Sequence, residues 1–94
     1  MTSDNTFAEG CAHVAGDYVP IAQAAIPIRD FGFLRSDATY DVVHVWDGAF
    51  FRLEDHLDRF FRNVDRLRMT CPFSREETRA VLIDCVRKSG LRDA

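Results

Sequence analysis

Strand signals in the first half of the chain and helix signals in the second predict an α+β domain. In it a mostly antiparallel sheet is followed by two helices packed on one face. Three observations carry that expectation. Tyr40 to Trp46 is rich in β-branched and aromatic residues, Asp47-Gly48 supplies the positive φ angles of a two-residue hairpin turn, and Phe50 to Leu53 returns. Leu53, Leu57, Phe60, Phe61, Val64 and Leu67 recur at spacings of three and four, which makes one apolar stripe on a helix from about Glu54 to Met69. Ser74 and Glu77 form an S-x-x-E capping box that opens a second helix, expected over Arg75 to Ser89, and Gly90 closes it.

Taken in order, residues 1–10 are polar and read as a flexible segment, and residues 11–94 read as the domain. Ala12 to Val14 and Tyr18 to Pro20 form a short hairpin around Ala15-Gly16-Asp17. Ala24 to Ile28 is a further extended piece, its Pro27 favouring an edge or a strand end. Gly32, between Phe31 and Phe33, marks a tight bend and lets backbone approach a neighbour closely. Asp37 is expected to cap a turn or a short helix.

In the long strand, a side-chain period of two puts Tyr40, Val42, His44 and Trp46 on one face and Asp41, Val43 and Val45 on the other. A two-residue loop pairs Trp46 with Ala49, His44 with Phe51 and Val42 with Leu53. Both faces are largely apolar, so one belongs under the helices and one under something else. The polar tips of Tyr40 and His44 on that second face suggest a ligand pocket, while Trp46 reads as packing at the hairpin end. Pro72 is expected to stop the first helix, and Val81, Leu82, Cys85 and Val86 make the stripe of the second.

A chain of 94 residues suits one domain but has little room for a deep cavity of its own. Hydrophobic residues at 47%, with eight Phe, leave apolar surface to spare for an interface. A net charge of −3 argues against a nucleic-acid partner or an anionic membrane surface, and no apolar run is long enough to span a bilayer. Cys11, Cys71 and Cys85 show no C-x-x-C spacing and the N-terminus has no signal-peptide pattern, so reduced thiols in a cytoplasmic protein are expected. His13, His44 and His56 have no metal-ligand spacing with cysteine or carboxylate, so no metal is expected.

The run GFLRSDATYDVVHVWDG followed by FFRLEDHLDR resembles the small N-terminal domain of fold-type IV pyridoxal-phosphate enzymes. Within them it is most similar to (R)-selective amine transaminases of the branched-chain aminotransferase-like superfamily. The resemblance extends from about Ala25 to the C-terminus and rests on the blocks GF-x-x-SD-x-x-YDV and HLDR. It implies that Arg59, in the HL-x-R block, binds the phosphate of pyridoxal 5′-phosphate. It also implies that Arg35 and Tyr40 help to form the substrate pocket, with His44 as a further candidate wall. Family members acting on branched-chain amino acids usually carry a Phe-Glu-Gly/Thr-Ile-Arg-like strand. Tyr40, Asp41, Val42, Val43 and His44 stand here instead, which tilts the resemblance toward amine transaminases. Periodicity alone reads Arg59 differently. It lies roughly 140° from the centre of the helix stripe, on a solvated face with Asp55 as an i,i+4 partner and with His56 and Asn63 nearby.

The implied whole enzyme moves an amino group from a primary amine or amino acid to a keto acid, as a homodimer with active sites at domain and subunit boundaries. That chemistry needs a lysine of depressed pKa in a desolvated site. Lys88, the only lysine, sits near a helix end where it complements the dipole, which is the wrong place. In the family the lysine comes from a larger C-terminal domain. The residues are thus expected to form one domain of a longer enzyme, with no catalytic residue in this chain and no activity alone. Two alternatives stand beside this: an aminodeoxychorismate-lyase-like enzyme of the same fold, and a non-catalytic binding or dimerisation module.

Overall fold

The structure is a computed structural model and describes residues 5–94. Strands β1 (Cys11–Val14) and β2 (Asp17–Pro20) form an antiparallel hairpin with Cys11 opposite Pro20 and Val14 opposite Asp17. Ala15 (φ 53°) and Gly16 (φ 91°) alone make its turn, so Asp17 joins the strand. A short 3-10 turn follows over Ile21–Gln23. Among the described residues, the extended piece expected at Ala24 to Ile28 pairs with nothing as a strand. The chain turns instead at Asp30, whose N–H donates to Pro27 O at 3.0 Å.

Asp30 then starts helix α1 (Phe31–Arg35) by accepting the Gly32 N–H at 2.7 Å, and Ser36 ends it in the left-handed region at φ 59°. The cap is therefore Asp30 and not Asp37. Gly32 is helical, yet the close approach expected of it is present. A Cβ there would come within 2.8 Å of Asp30 Oδ1 and 3.2 Å of Ala38 Cβ.

The second hairpin keeps the expected turn and register but is shorter. Strands β3 (Val45–Trp46) and β4 (Ala49–Phe50) pair Trp46 with Ala49 and Val45 with Phe50, around Asp47 (φ 49°) and Gly48 (φ 80°). The Phe51 N–H still reaches His44 O at 2.8 Å, but Val42 gains no partner, because Leu53 has already entered a helix. On the other edge of β3, Val45 exchanges two backbone hydrogen bonds with Ala94, at 2.7 and 3.0 Å. The Gly48 N–H donates to Arg92 O at 2.8 Å, and the Arg92 side chain pairs with Asp47 at 2.7 Å.

Helix α2 (Leu53–Arg66) buries Leu57 and Val64 and half-buries Leu53, Phe60 and Phe61. It ends three residues before the expected Met69. The stop is the left-handed Arg68 (φ 56°), and Pro72 comes too late to cause it. Leu67, outside the helix, is 51% exposed. Helix α3 (Arg75–Ser89) has the expected ends. Ser74 Oγ accepts the Glu77 N–H at 3.1 Å, Glu77 Oε1 accepts the Ser74 N–H at 2.9 Å, and Gly90 closes the helix at φ 72°.

The architecture is thus α+β, with two small antiparallel sheets and helices, in place of one continuous sheet. Helix α3 meets the first hairpin through Tyr18, whose hydroxyl donates to Asp84 at 3.0 Å, and through Lys88, whose Nζ lies 4.9 Å from the Tyr18 ring centre. Val45, Leu57 and Val64 form the dry centre among the described residues. Trp46, expected to pack, is 67% exposed and meets the His44 ring edge-on at 5.6 Å. No helix among the described residues is long and apolar enough to cross a membrane.

Glu54 clamps the two long helices, accepting from Arg75 at 3.0 Å and from Arg79 at 2.6 Å. The Arg79 and then the Arg75 hydrogen bonds pull its carboxyl down from 4.5 to about 2. A lowered carboxyl contributes stability above its ordinary value and loses that stability as pH falls toward the folded one. Melting temperature should therefore fall between pH 4.5 and 2, and Glu54→Gln should make that fall shallower while lowering the melting temperature slightly at pH 7. Thermal melts across this range check it, and parallel slopes in the two proteins would count against the clamp.

Candidate functional site

The extended run before β3 turns alternate side chains to opposite faces, so Asp41 points the same way as half-buried Val43 and buried Val45, toward α2. One helical turn of α2 presents His56 and Arg59 to it from positions three apart. The Arg59 guanidinium grips the Asp41 carboxylate as a fork, Nε to Oδ2 and Nη2 to Oδ1, both at 2.7 Å. His56 Nδ1 lies 2.8 Å from Asp41 Oδ1. Since the carboxylate can only accept, the imidazole donates from Nδ1, and the 3.4 Å approach of Arg59 Nη2 to the same nitrogen is not a hydrogen bond in that tautomer.

The Asp41 side chain is only 9% exposed. Its carboxyl is nevertheless held far below the usual carboxylate range, by the Arg59 hydrogen bond first, with burial opposing and His56 and the Val42 N–H assisting. Asp41 in turn raises the pKa of Arg59. The Asp55 partner expected for Arg59 pairs instead with Arg52, at 2.7 Å.

Beside this cluster runs an open groove of about 270 Å³ lined by Phe51, Arg52, Asp55, His56, Arg59 and Arg62. Arg52 stands at the head of α2 in the left-handed region, at φ 57°. Arg62 has no carboxylate within ion-pair distance among the described residues. Three guanidiniums therefore line one groove, and among the described residues Asp55 and Asp41 pair with two of them. Arg59 spends Nε and Nη2 on Asp41, while its side chain stays 55% exposed and Nη1 is available to a second acceptor. An oxyanion with several acceptor oxygens, such as a phosphate, suits this arrangement of forks. On the far side of His56 lies a mainly apolar cavity of about 150 Å³, bounded by Asp41, Val43, Leu57, Phe60, Thr78 and Leu82.

The other sequence candidates do not line the groove. Arg35 ends α1 with its guanidinium 4.5 Å from the centre of the Phe31 ring, Tyr40 is 84% exposed, and His44 is exposed beside Trp46. Of the residues expected near Arg59, His56 lines the groove and Asn63 does not. Among the described residues no group of three His, Cys, Asp or Glu could hold a metal ion. Asp41 was missed as a functional residue. Its signal was an acid on the apolar, helix-facing side of a strand, with a histidine and an arginine three apart downstream.

No family model matches the chain. It is 29% identical over 87% of its length to a Methanocaldococcus jannaschii protein provisionally named a branched-chain-amino-acid aminotransferase, and covers 28% of that protein. It is 32% identical over 72% of its length to the D-alanine aminotransferase of Listeria monocytogenes, covering 24% of it. It is also 32% identical over 77% of its length to the chloroplastic D-amino-acid transaminase of Arabidopsis thaliana, covering 19% of it. Over most of its own residues the chain is similar to branched-chain and D-amino-acid aminotransferases, and it spans about a quarter of their length.

Proposed function

We propose that this chain is the small domain of a fold-type IV, pyridoxal-phosphate-dependent transaminase akin to (R)-selective amine transaminases. The whole enzyme moves an amino group from a primary amine or amino acid to a keto acid. The observation that carries this reading is Arg59 forked onto Asp41 through Nε and Nη2 while lining a groove that Arg52 and Arg62 also line. The similarity to aminotransferases supports it.

In this reading Arg59 would hold the phosphate of the cofactor through donors that Asp41 leaves free. Asp41 holds the guanidinium plane still, and the Nδ1–H of His56 keeps the carboxylate in place. Arg52 and Arg62 add positive charge along the groove, which would favour an anionic group there. When bound, the cofactor supplies the electron sink that lets an amino group pass between carbon skeletons. Arg35, Tyr40 and His44 stand on the exposed loop and face of the domain, as substrate-pocket walls completed by a larger C-terminal domain and a second subunit of a cytoplasmic homodimer. That larger domain supplies the lysine, since Lys88 of α3 is engaged with Tyr18 and Phe7.

In the complete enzyme, Arg59→Ala should weaken pyridoxal phosphate retention by about 1.5 to 3 kcal/mol, the worth of a hydrogen bond to a charged group. Arg62→Ala should weaken it less, because Arg62 lines the same groove, and Arg87→Ala on the exposed side of α3 should not weaken it. Pyridoxal, which lacks the phosphate, should bind wild type and Arg59→Ala alike. Absorbance titrations measure all four, and equal retention of pyridoxal phosphate by wild type and Arg59→Ala would leave Arg59 a structural partner of Asp41 only.

A further inference from the structure

The hairpin β1–β2 turns one face toward α3, and that face carries a thiol. Opposite residues of an antiparallel pair share a face, as do residues two apart on one strand, so Cys11, His13, Tyr18 and Pro20 stand together. Two of them show where the face looks. The Tyr18 hydroxyl donates to Asp84 at 3.0 Å and its ring centre lies 4.9 Å from Lys88 Nζ. The His13 ring meets Tyr18 edge-on at 4.9 Å and Phe73, just ahead of α3, at 5.5 Å. Asp84, Cys85 and Lys88 lie within about one turn of α3, so the helix presents Cys85 to the same face.

The thiols of Cys11 and Cys85 thus come from the two ends of the domain into side-chain hydrogen-bonding reach of each other. Both are free and half-buried. Cys11 also donates weakly to Ala12 O at 3.8 Å, a bond that a thiol gives up easily. Burial first, and then the neighbouring Cys11 sulfur, push the Cys85 thiol up to about 11. Cys85 therefore rests protonated, and Cys11 is the sulfur that meets an oxidant first.

We propose that Cys11 and Cys85 are a redox-active dithiol, which a small disulfide of the glutathione class converts to an internal disulfide that ties the first hairpin to α3. Cys11 gives its proton to water and its thiolate attacks one sulfur of the small disulfide. A mixed disulfide forms on Cys11, and one small thiolate leaves and is protonated. Cys85 then gives up its proton and attacks the Cys11 sulfur. The Cys11–Cys85 bond forms, the mixed disulfide breaks, and the second small thiolate leaves and is protonated. Two protein thiols lose two electrons in all, and one small disulfide is reduced to two thiols. Because the sulfurs are already within reach, the second step is intramolecular and the internal disulfide is the end product. The bond closes a loop over most of the chain and pins β1 to the helix behind it.

The test treats the complete, folded enzyme with excess oxidised glutathione, blocks the remaining thiols with iodoacetamide and maps the peptides by mass. The Cys11 peptide should be recovered joined to the Cys85 peptide, and dithiothreitol should release it. Cys71, in the link between α2 and α3, is the control thiol and should stay outside that bond. In Cys85→Ser, or in Cys85→Ala where serine does not fold, Cys11 should keep its glutathione. Backbone amides of β1 and β2 should exchange at least about tenfold more slowly in the oxidised wild type than in the reduced one, with no slowing in the oxidised Cys85 variant. Glutathione left on Cys11 in the wild type, Cys71 as the partner of either sulfur, or a cross-link that forms only in urea overturns the proposal. Equal exchange in the oxidised and reduced wild type overturns it too, since the bond would then tie nothing. Phosphate affinity does not enter these readouts, so they stand whatever becomes of Arg59.

Discussion

Leu57→Ala is expected to remove about 2 to 5 kcal/mol from the free energy of unfolding, a large part of the roughly 5 to 15 kcal/mol a domain has to lose. Leu57 sits in the second turn of α2 and is only 3% exposed, in a core with Val45 at 3% and Val64 at 6%. Truncating it removes apolar surface from the dry centre and opens space against a wall that already bounds a cavity of about 150 Å³. Neighbours cannot collapse readily into that space, since Phe60 and Leu82 are fixed on two helices tied together through Glu54. Ile28→Ala removes as much aliphatic bulk from a residue that is 76% exposed, and should change stability by no more than about 0.5 kcal/mol. Equilibrium urea unfolding of the two variants compares them. Similar losses at Leu57 and Ile28 would mean that the exposed loop carries more of the folding energy than its accessibility allows.

That contrast also explains which features were legible in the sequence. The ends of α3 depend on Ser74, Glu77 and Gly90 acting within one turn, so local chemistry decides them and the sequence shows them. The turn at Asp47-Gly48 and the register beside it are local in the same way. A strand is different, because its ladder is made with residues far away in the chain. Tyr40 to His44 has the composition of a strand and the alternation of one, yet backbone pairing stops at His44, whose carbonyl accepts the Phe51 N–H, and at the Ala94 rung on Val45. The end of α2 was misplaced for a related reason. Pro72 is a visible breaker, but a left-handed Arg68 leaves no mark in composition.

The site divides along the same line. Helical spacing brings His56 and Arg59 to one side of α2, and the period of two brings Asp41 to the helix-facing side of its run. Both facts were readable separately. What could not be read is that the two faces meet, and so Asp55, the local partner, was preferred over Asp41, eighteen residues from Arg59. Here the fork on a carboxylate 9% exposed outweighs the i,i+4 neighbour, which Arg52 takes instead.

The meeting of those faces has a measurable energy. Arg59→Ala should lower stability, by less than the loss of a desolvated charged hydrogen bond would, because the Arg59 side chain is 55% exposed and partly screened. Asp41→Ala should cost a similar amount. Because the two act through one fork, the double variant should lose clearly less than the sum of the singles. The pH dependence gives the sign. Arg59 holds the Asp41 carboxyl below the usual range, so the stability it adds is complete above the ordinary value and is lost only as pH falls through the lowered one. The coupling should thus be undiminished at pH 4.5, which still lies above the ordinary value of 3.8. Urea unfolding of the four proteins at pH 7 and pH 4.5 completes the cycle. Additivity within about 0.3 kcal/mol at pH 7 would show that Asp41 does not hold Arg59, and the groove would then have to present its guanidiniums without a fixed carboxylate behind them.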